Sequence, residues 1–146
     1  LVGGGEMSLI GDTASRPPNL EVIGFVPQVD VGRQFDGASV LVNTSPAEGF
    51  PNTFLQAWAR GIPTLSHVDP EVSFQGMAAG LTAADIEPMA AALAGMLDDP
   101  TAWAQQSMQV RRCFEALHQV DAVVDVLEGA LRALCNGSGS SGKAKA

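Results

Sequence analysis

The residues best able to do chemistry fall in one stretch, residues 43–65. Glu48 is its only carboxylate, in the polar run Ser45-Pro46-Ala47-Glu48-Gly49-Phe50-Pro51, and Asn52 opens a largely apolar segment, Thr53-Phe54-Leu55-Gln56-Ala57-Trp58-Ala59. Apolar on nearly every side, that segment reads as a short buried helix. A helix starting at Asn52 leaves the amides of Thr53, Phe54 and Leu55 without partners, at the positive end of the helix dipole, and a phosphate fits there. An Asn cap over an ordinary core helix would give the same local pattern. The residues on either side decide between the two.

Those neighbours form a βαβ unit. Ser39-Val40-Leu41-Val42-Asn43 reads as a buried strand ending near Thr44, and after Gly61 a second strand runs over Thr64-Leu65-Ser66-His67-Val68 until Asp69-Pro70 breaks it. The loop with Glu48 then stands above a strand's carboxyl end, where open α/β sheets place their ligands. Earlier, Leu1-Val2-Gly3-Gly4-Gly5 looks like a strand running into a Gly turn, but no third Gly precedes a helix as a dinucleotide fingerprint requires. Residues 8–19 are polar and turn-rich. Residues 20–27 alternate like a strand ending at Pro27, and a helix capped by Asp30, with Phe35 inward, ends at Gly37. Residues 80–83 make a short strand or turn.

Three helices close the chain. The first is capped by Asp85, with Ile86, Met89, Ala90, Leu93, Met96 and Leu97 at the helical period; Asp98-Asp99-Pro100 stops it and starts the second. Trp103, Val110, Phe114 and Leu117 mark an inner face on the second helix. Val120, Val123, Val124, Leu127, Leu131 and Leu134 mark one on the third. The fold class predicted is α/β, a Rossmann-like parallel sheet flanked by helices and closing with three helices.

The stretch Glu48-Gly49-Phe50-Pro51-Asn52-Thr53-Phe54-Leu55-Gln56-Ala57-Trp58-Ala59-Arg60-Gly61-Ile62-Pro63 closely resembles the signature of the retaining nucleotide-sugar glycosyltransferases of family 4, the group 1 enzymes of the GT-B fold. The resemblance extends over about residues 1–134. It implies the donor-binding, carboxyl-terminal half of a two-domain enzyme that transfers a sugar from a nucleotide diphosphate sugar to an acceptor, a saccharide or a lipid-linked saccharide. By it, Glu48 is the catalytic acid that meets the donor sugar's hydroxyls, and Gly49, Phe50, Pro51, Asn52 and Thr53 form the segment that holds the diphosphate. Gln56 stands where a second Glu would take the ribose hydroxyls. Phe25 and Val26, in Asn19-Leu20-Glu21-Val22-Ile23-Gly24-Phe25-Val26-Pro27, would neighbour the base.

No metal or other cofactor is implied; the nucleotide diphosphate sugar is the substrate. Two departures stand out. Gln56 has no charge and one acceptor oxygen, which weakens the ribose contact. Val68-Asp69-Pro70-Glu71-Val72-Ser73-Phe74 replaces a Gly-Gly-x-x-Glu segment, with Glu71 a possible substitute or a plain loop carboxylate. The family's Gly-Arg and Lys-Gly diphosphate contacts would precede residue 1, and its last helix crosses to the amino-terminal domain, so part of the final apolar stripe is expected to be exposed.

Composition bounds the alternatives. With 146 residues and 46% hydrophobic content the chain suits one donor-binding domain, residues 1–135, with a flexible Gly/Ser/Lys tail over 136–146. It is too short for a whole GT-B enzyme, so the expectation is a fragment, inactive without the amino-terminal domain. The net charge is −8, and the only lysines are Lys143 and Lys145, so nothing forms a basic stripe for nucleic acid. Arg111-Arg112 reads as a helix surface.

Cys113 and Cys135 make no disulfide framework, His67 stands without metal-ligand spacing, and no apolar run is long enough for a membrane span. A reducing cytoplasm is the expected location, with peripheral attachment to the inner face of the membrane the alternative for the full enzyme. Two other functions stay open: a non-catalytic nucleotide or nucleotide-sugar binding module, and an interaction domain using the last helix.

Overall fold

The computed structural model describes residues 16–47 and 49–137, and the chain divides into two compact units, Leu1–Ala38 and Ser39–Ala146. In the first unit Pro27 leads into helix α1 (Gln28–Val31), which tightens at once into a 3-10 turn, Gly32–Phe35. Asp30 is not the cap predicted from sequence. It lies inside α1 and pairs with Arg33 at 3.6 Å, while Pro27 takes the cap position without a side-chain bond. The proline ring presets φ and has no amide to satisfy, so entry at Pro27 costs the chain least. The strand predicted over residues 20–27 is not formed among the described residues, where residue 24 alone makes a bridge. A strand exists through its neighbour, and residues 1–15, with the strand predicted at their start, lie outside the described residues.

The second unit holds the sheet. The apolar run before Asn43 forms β1 (Leu41–Asn43), α2 (Asn52–Trp58) follows the loop, and β2 (Thr64–Ser66) follows Gly61. Next comes a small antiparallel hairpin, β3 (Ser73–Phe74) with β4 (Met77–Ala78), and then β5 (Leu81–Thr82). The main sheet runs β1-β2-β5, all parallel. Leu41 stands opposite Thr64, Asn43 opposite Ser66 and Ser66 opposite Thr82. The hairpin went unforeseen in the sequence. Its turn is Gln75-Gly76 with φ of 54° and 77°, the positive-φ pair that two-residue hairpins need and that Gly at the second position supplies.

β2 is buried along its whole length, as a central parallel strand is. Its side chains alternate between the two faces. Leu65 clusters with Met89, Ala83 and the partly buried Leu93 on the side of α3 (Ile86–Asp98), while Thr64 accepts the Trp58 indole N–H of α2 at 3.1 Å. Helices therefore cover both faces, which makes the fold α/β and Rossmann-like.

α4 (Pro100–Leu117) starts as the sequence predicts, with the Asp99 carboxylate accepting from the Thr101 and Ala102 amides and Pro100 in the first turn. It packs on α2, on α3 and on β3, and its buried Gln109 donates to the Phe74 carbonyl at 3.0 Å, which ties the hairpin down. Burial of Phe54, Leu65 and Val110 to 1% exposure or less contributes about 1.5–3 kcal/mol apiece.

α5 (Val120–Gly137) packs against α4; its apolar stripe is exposed, which the family resemblance implied in part and which corrects the core face predicted from period alone. Val120, Val123, Val124, Leu127, Leu131 and Leu134 are all exposed, as is Leu117 on α4. Helical period shows which residues share a face and says nothing of what covers it. Among the described residues no helix is long and apolar enough to cross a membrane. Residues 138–146, most of the predicted tail, lie outside the described residues.

Candidate functional site

β1 and β2 end in register at Asn43 and Ser66, so the loops leaving them rise side by side at the carboxyl edge of the sheet. Short polar side chains shape both loops. Asn43 Oδ1 accepts the Ser45 amide at 2.8 Å, Ser66 Oγ donates to the Val68 carbonyl at 2.7 Å, and Asp69 Oδ1 accepts the Glu71 amide at 2.8 Å. These are side-chain turns of the kind that spare a loop's backbone groups from going unpaired. Between the loops runs a cleft lined by Asn43, Ser45, Gly49, Pro51, Ser66 and Val68. It is too narrow to admit a water molecule.

α2 forms the adjoining wall, fixed by three buried side chains, Phe54, Ala57 and Trp58. Asn52 is not its cap. Pro51, with φ −69° and ψ 124°, occupies that position, and Asn52 is the first helical residue, making no side-chain cap bond. Here too a proline's fixed φ decides where the helix begins. A second correction follows: the Phe54 amide, expected to be open, donates to the Pro51 carbonyl at 2.9 Å. The amides of Asn52 and Thr53, on exposed residues, make no hydrogen bond among the described residues. Two donors thus remain at the positive end of this two-turn helix. At the other end Arg111 donates to the Ala59 carbonyl, a cation where the dipole is negative.

Gln56 is half-buried, and its Oε1 is fully buried without a partner. An acceptor sealed from water and left unpaired is uncommon, and Gln56 is not among the residues lining the cleft. Phe50 is not among the cleft-lining residues. Its ring meets Trp58 edge-on at 5.8 Å and leans on His118 at 5.5 Å, and Trp58 and His118 are 5.9 Å apart. Burial lowers the His118 pKa from the ordinary 6.5, and its Nε2 is sealed and unpartnered although the ring as a whole is half-exposed. The neutral ring is the form this site favours.

Of the residues singled out from sequence, Gly49, Phe50, Pro51, Asn52, Thr53 and Gln56 share one loop and helix. Glu48 lies outside the described residues. Phe25 and Val26 belong to the first unit, where Phe25 is 80% exposed. Asn43, Ser45, Ser66, Val68 and His118 were not foreseen. The first four had a usable signal, being at or just past strand ends, whereas His118 carries no local signal of its contact with Phe50. Glu71 is exposed and adopts φ 55°, a left-handed conformation. His67 Nδ1 donates to the Ala83 carbonyl at 2.8 Å, a structural bond between two strand ends. Among the described residues, no group of three or more His, Cys, Asp or Glu side chains gathers as a metal site would need.

A family model described as glycosyl transferases group 1 matches residues 1–99. No match was found among curated proteins.

Proposed function

Since the chain belongs to the glycosyl transferases group 1 family, whose chemistry is glycosyl transfer, we infer that it is the donor-binding half of a retaining, hexosyltransferase-like enzyme of family 4. Its substrate is a nucleotide diphosphate sugar. The observation that carries this reading is the pair of amides, Asn52 and Thr53, open at the start of α2 beside a cleft at the carboxyl ends of β1 and β2. The diphosphate lies against those amides and Gly49. Gln56 meets the ribose and Glu48 the transferred sugar.

In the reaction the bond from the anomeric carbon to the diphosphate oxygen breaks and one to an acceptor oxygen forms with the same configuration, while the acceptor hydroxyl's proton passes to the departing diphosphate. Charge growing on the departing diphosphate is met by fixed amides, whose stabilisation needs no reorganisation during the step; the reading asks for no metal. The acceptor, a saccharide or lipid-linked saccharide, is held by an amino-terminal domain, in the cytoplasm or at the inner face of a membrane.

The test is kinetic, in the two-domain enzyme. Glu48→Ala and Glu48→Gln are expected to lower kcat more than they raise the donor KM, because the contact with the sugar tightens as the glycosidic bond breaks. Unchanged kcat in both variants would remove the role given to Glu48. One observation favours a second reading, a module that binds nucleotide sugars without turning them over: the neutral Gln56, with its buried unpaired Oε1, in place of a carboxylate. That module would bind donor yet neither transfer nor hydrolyse it.

A further inference from the structure

We propose that His118 is a positioning residue for the ligand loop: from the corner between α4 and α5 its ring holds Phe50 against Trp58, and so fixes Gly49 and Pro51 at the cleft. The clamp rests on the proposed donor site only in what the loop is for; its geometry stands apart from that reading. Trp58 is the fixed member. It is fully buried, its indole N–H is bonded to Thr64 Oγ1 at 3.1 Å in the central strand, and Phe54 packs on it at 5.9 Å. Phe50 is the more exposed of the aromatic pair it forms with Trp58, at 41%, on a loop whose neighbouring residues, Gly49 and Pro51, line the cleft.

Edge-on contact with Trp58 alone leaves one face of the Phe50 ring open. His118 supplies that face, at 5.5 Å and a 30° tilt. Its own backbone is anchored, since its amide donates to the Phe114 carbonyl at 2.9 Å at the end of α4. Three rings from a loop, a core helix and a helix corner thus close a triangle.

The Phe54 amide reports on the clamp, because its bond to the Pro51 carbonyl breaks when the loop swings away. Amide exchange by NMR on the whole chain should show that amide exchanging about fivefold faster or more in His118→Ala, from the loss of aromatic contacts of ordinary strength. The Leu65 amide in the core strand serves as control and should change less than about twofold. His118→Phe, which keeps a flat ring, should restore slow exchange. In a Phe50→Ala background, His118→Ala should add less than about twofold, since a residue acting through Phe50 has nothing left to act on.

Should His118→Ala not fold, His118→Leu takes its place as a bulky residue without a ring. The proposal is overturned if Phe54 exchange is unchanged, if Leu65 accelerates as much as Phe54, if the Phe variant fails to rescue, or if the two losses add. Titration with UDP, GDP and ADP separates the two readings. If one binds the wild type, His118→Ala should weaken it about threefold or more. Nucleotide binding with unaltered exchange sinks the clamp and spares the proposed function; the exchange pattern with no nucleotide bound does the reverse.

Discussion

At the scale of single residues, Gln56 and His118 each bury a polar atom that nothing in the described structure satisfies, and the two call for opposite tests. If a ribose hydroxyl is the missing partner of Gln56 Oε1, then Gln56→Leu removes a cost from the free chain and a contact from the complex. Stability in urea should be unchanged or up to about 1 kcal/mol higher, while nucleotide affinity falls; equal affinity would mean that Gln56 reads no ribose. For His118 the folded pKa lies below 6.5, the value that the unfolded ring keeps. As the pH drops the unfolded chain therefore binds the proton first. The stability of the neutral ring is complete above pH 6.5 and is lost as the pH falls through that value toward the lower folded one. Urea midpoints measured between about pH 7 and 5.5 should fall, and fall less in His118→Phe. The contact proposed for Gln56 could be framed from the sequence, by its place in the family signature that begins at Glu48. That of His118 could not, because only the folded chain sets it beside Phe50.

At the scale of elements, the βαβ unit from β1 to β2 was legible because strand, helix and Gly punctuation agree in one short stretch. Caps were less so. Asn52 and Asp30 are both good capping residues, yet Pro51 and Pro27 took the cap positions, since a residue whose φ is already fixed loses little on starting a helix. Asp99, with proline after it rather than before, caps α4 at the boundary predicted. The hairpin escaped notice because two-residue strands show too little alternation to count. Packing between elements gives a sharper prediction at Gly80, where an added Cβ would sit 2.4 Å from Thr64 Oγ1 and 3.3 Å from the Thr64 carbonyl. That hydroxyl also holds Trp58, so β2 and the indole must shift together. Gly80→Ala is expected to cost about 1–3 kcal/mol, read as a lower urea midpoint with an unchanged slope; no loss would mean that the strands part more easily than their register suggests.

At the scale of the whole molecule, the apolar stripe of α5 shows what a sequence leaves open: the period placed Val123, Leu127 and Leu134 on one face, and the structure leaves that face exposed. The charge is more telling. In a chain of net charge −8, Arg33, Arg111 and Arg132 pair with acids one turn away, and the proposed donor site relies on the amides of Asn52 and Thr53 at the start of α2. Binding through two amides on an acidic chain should be weak, with dissociation constants of about millimolar order, roughly 4 kcal/mol, and should weaken further with salt. The measurement that tests the donor site most directly is a titration of the isotopically labelled chain with UDP, GDP and ADP and their sugars, followed amide by amide by NMR. The account predicts that one nucleotide shifts Gly49, Asn52, Thr53 and the end of β2 at Ser66 most. No shift at several times that concentration, or shifts gathered at the far end of the sheet around Ser39 and Trp103, would contradict it.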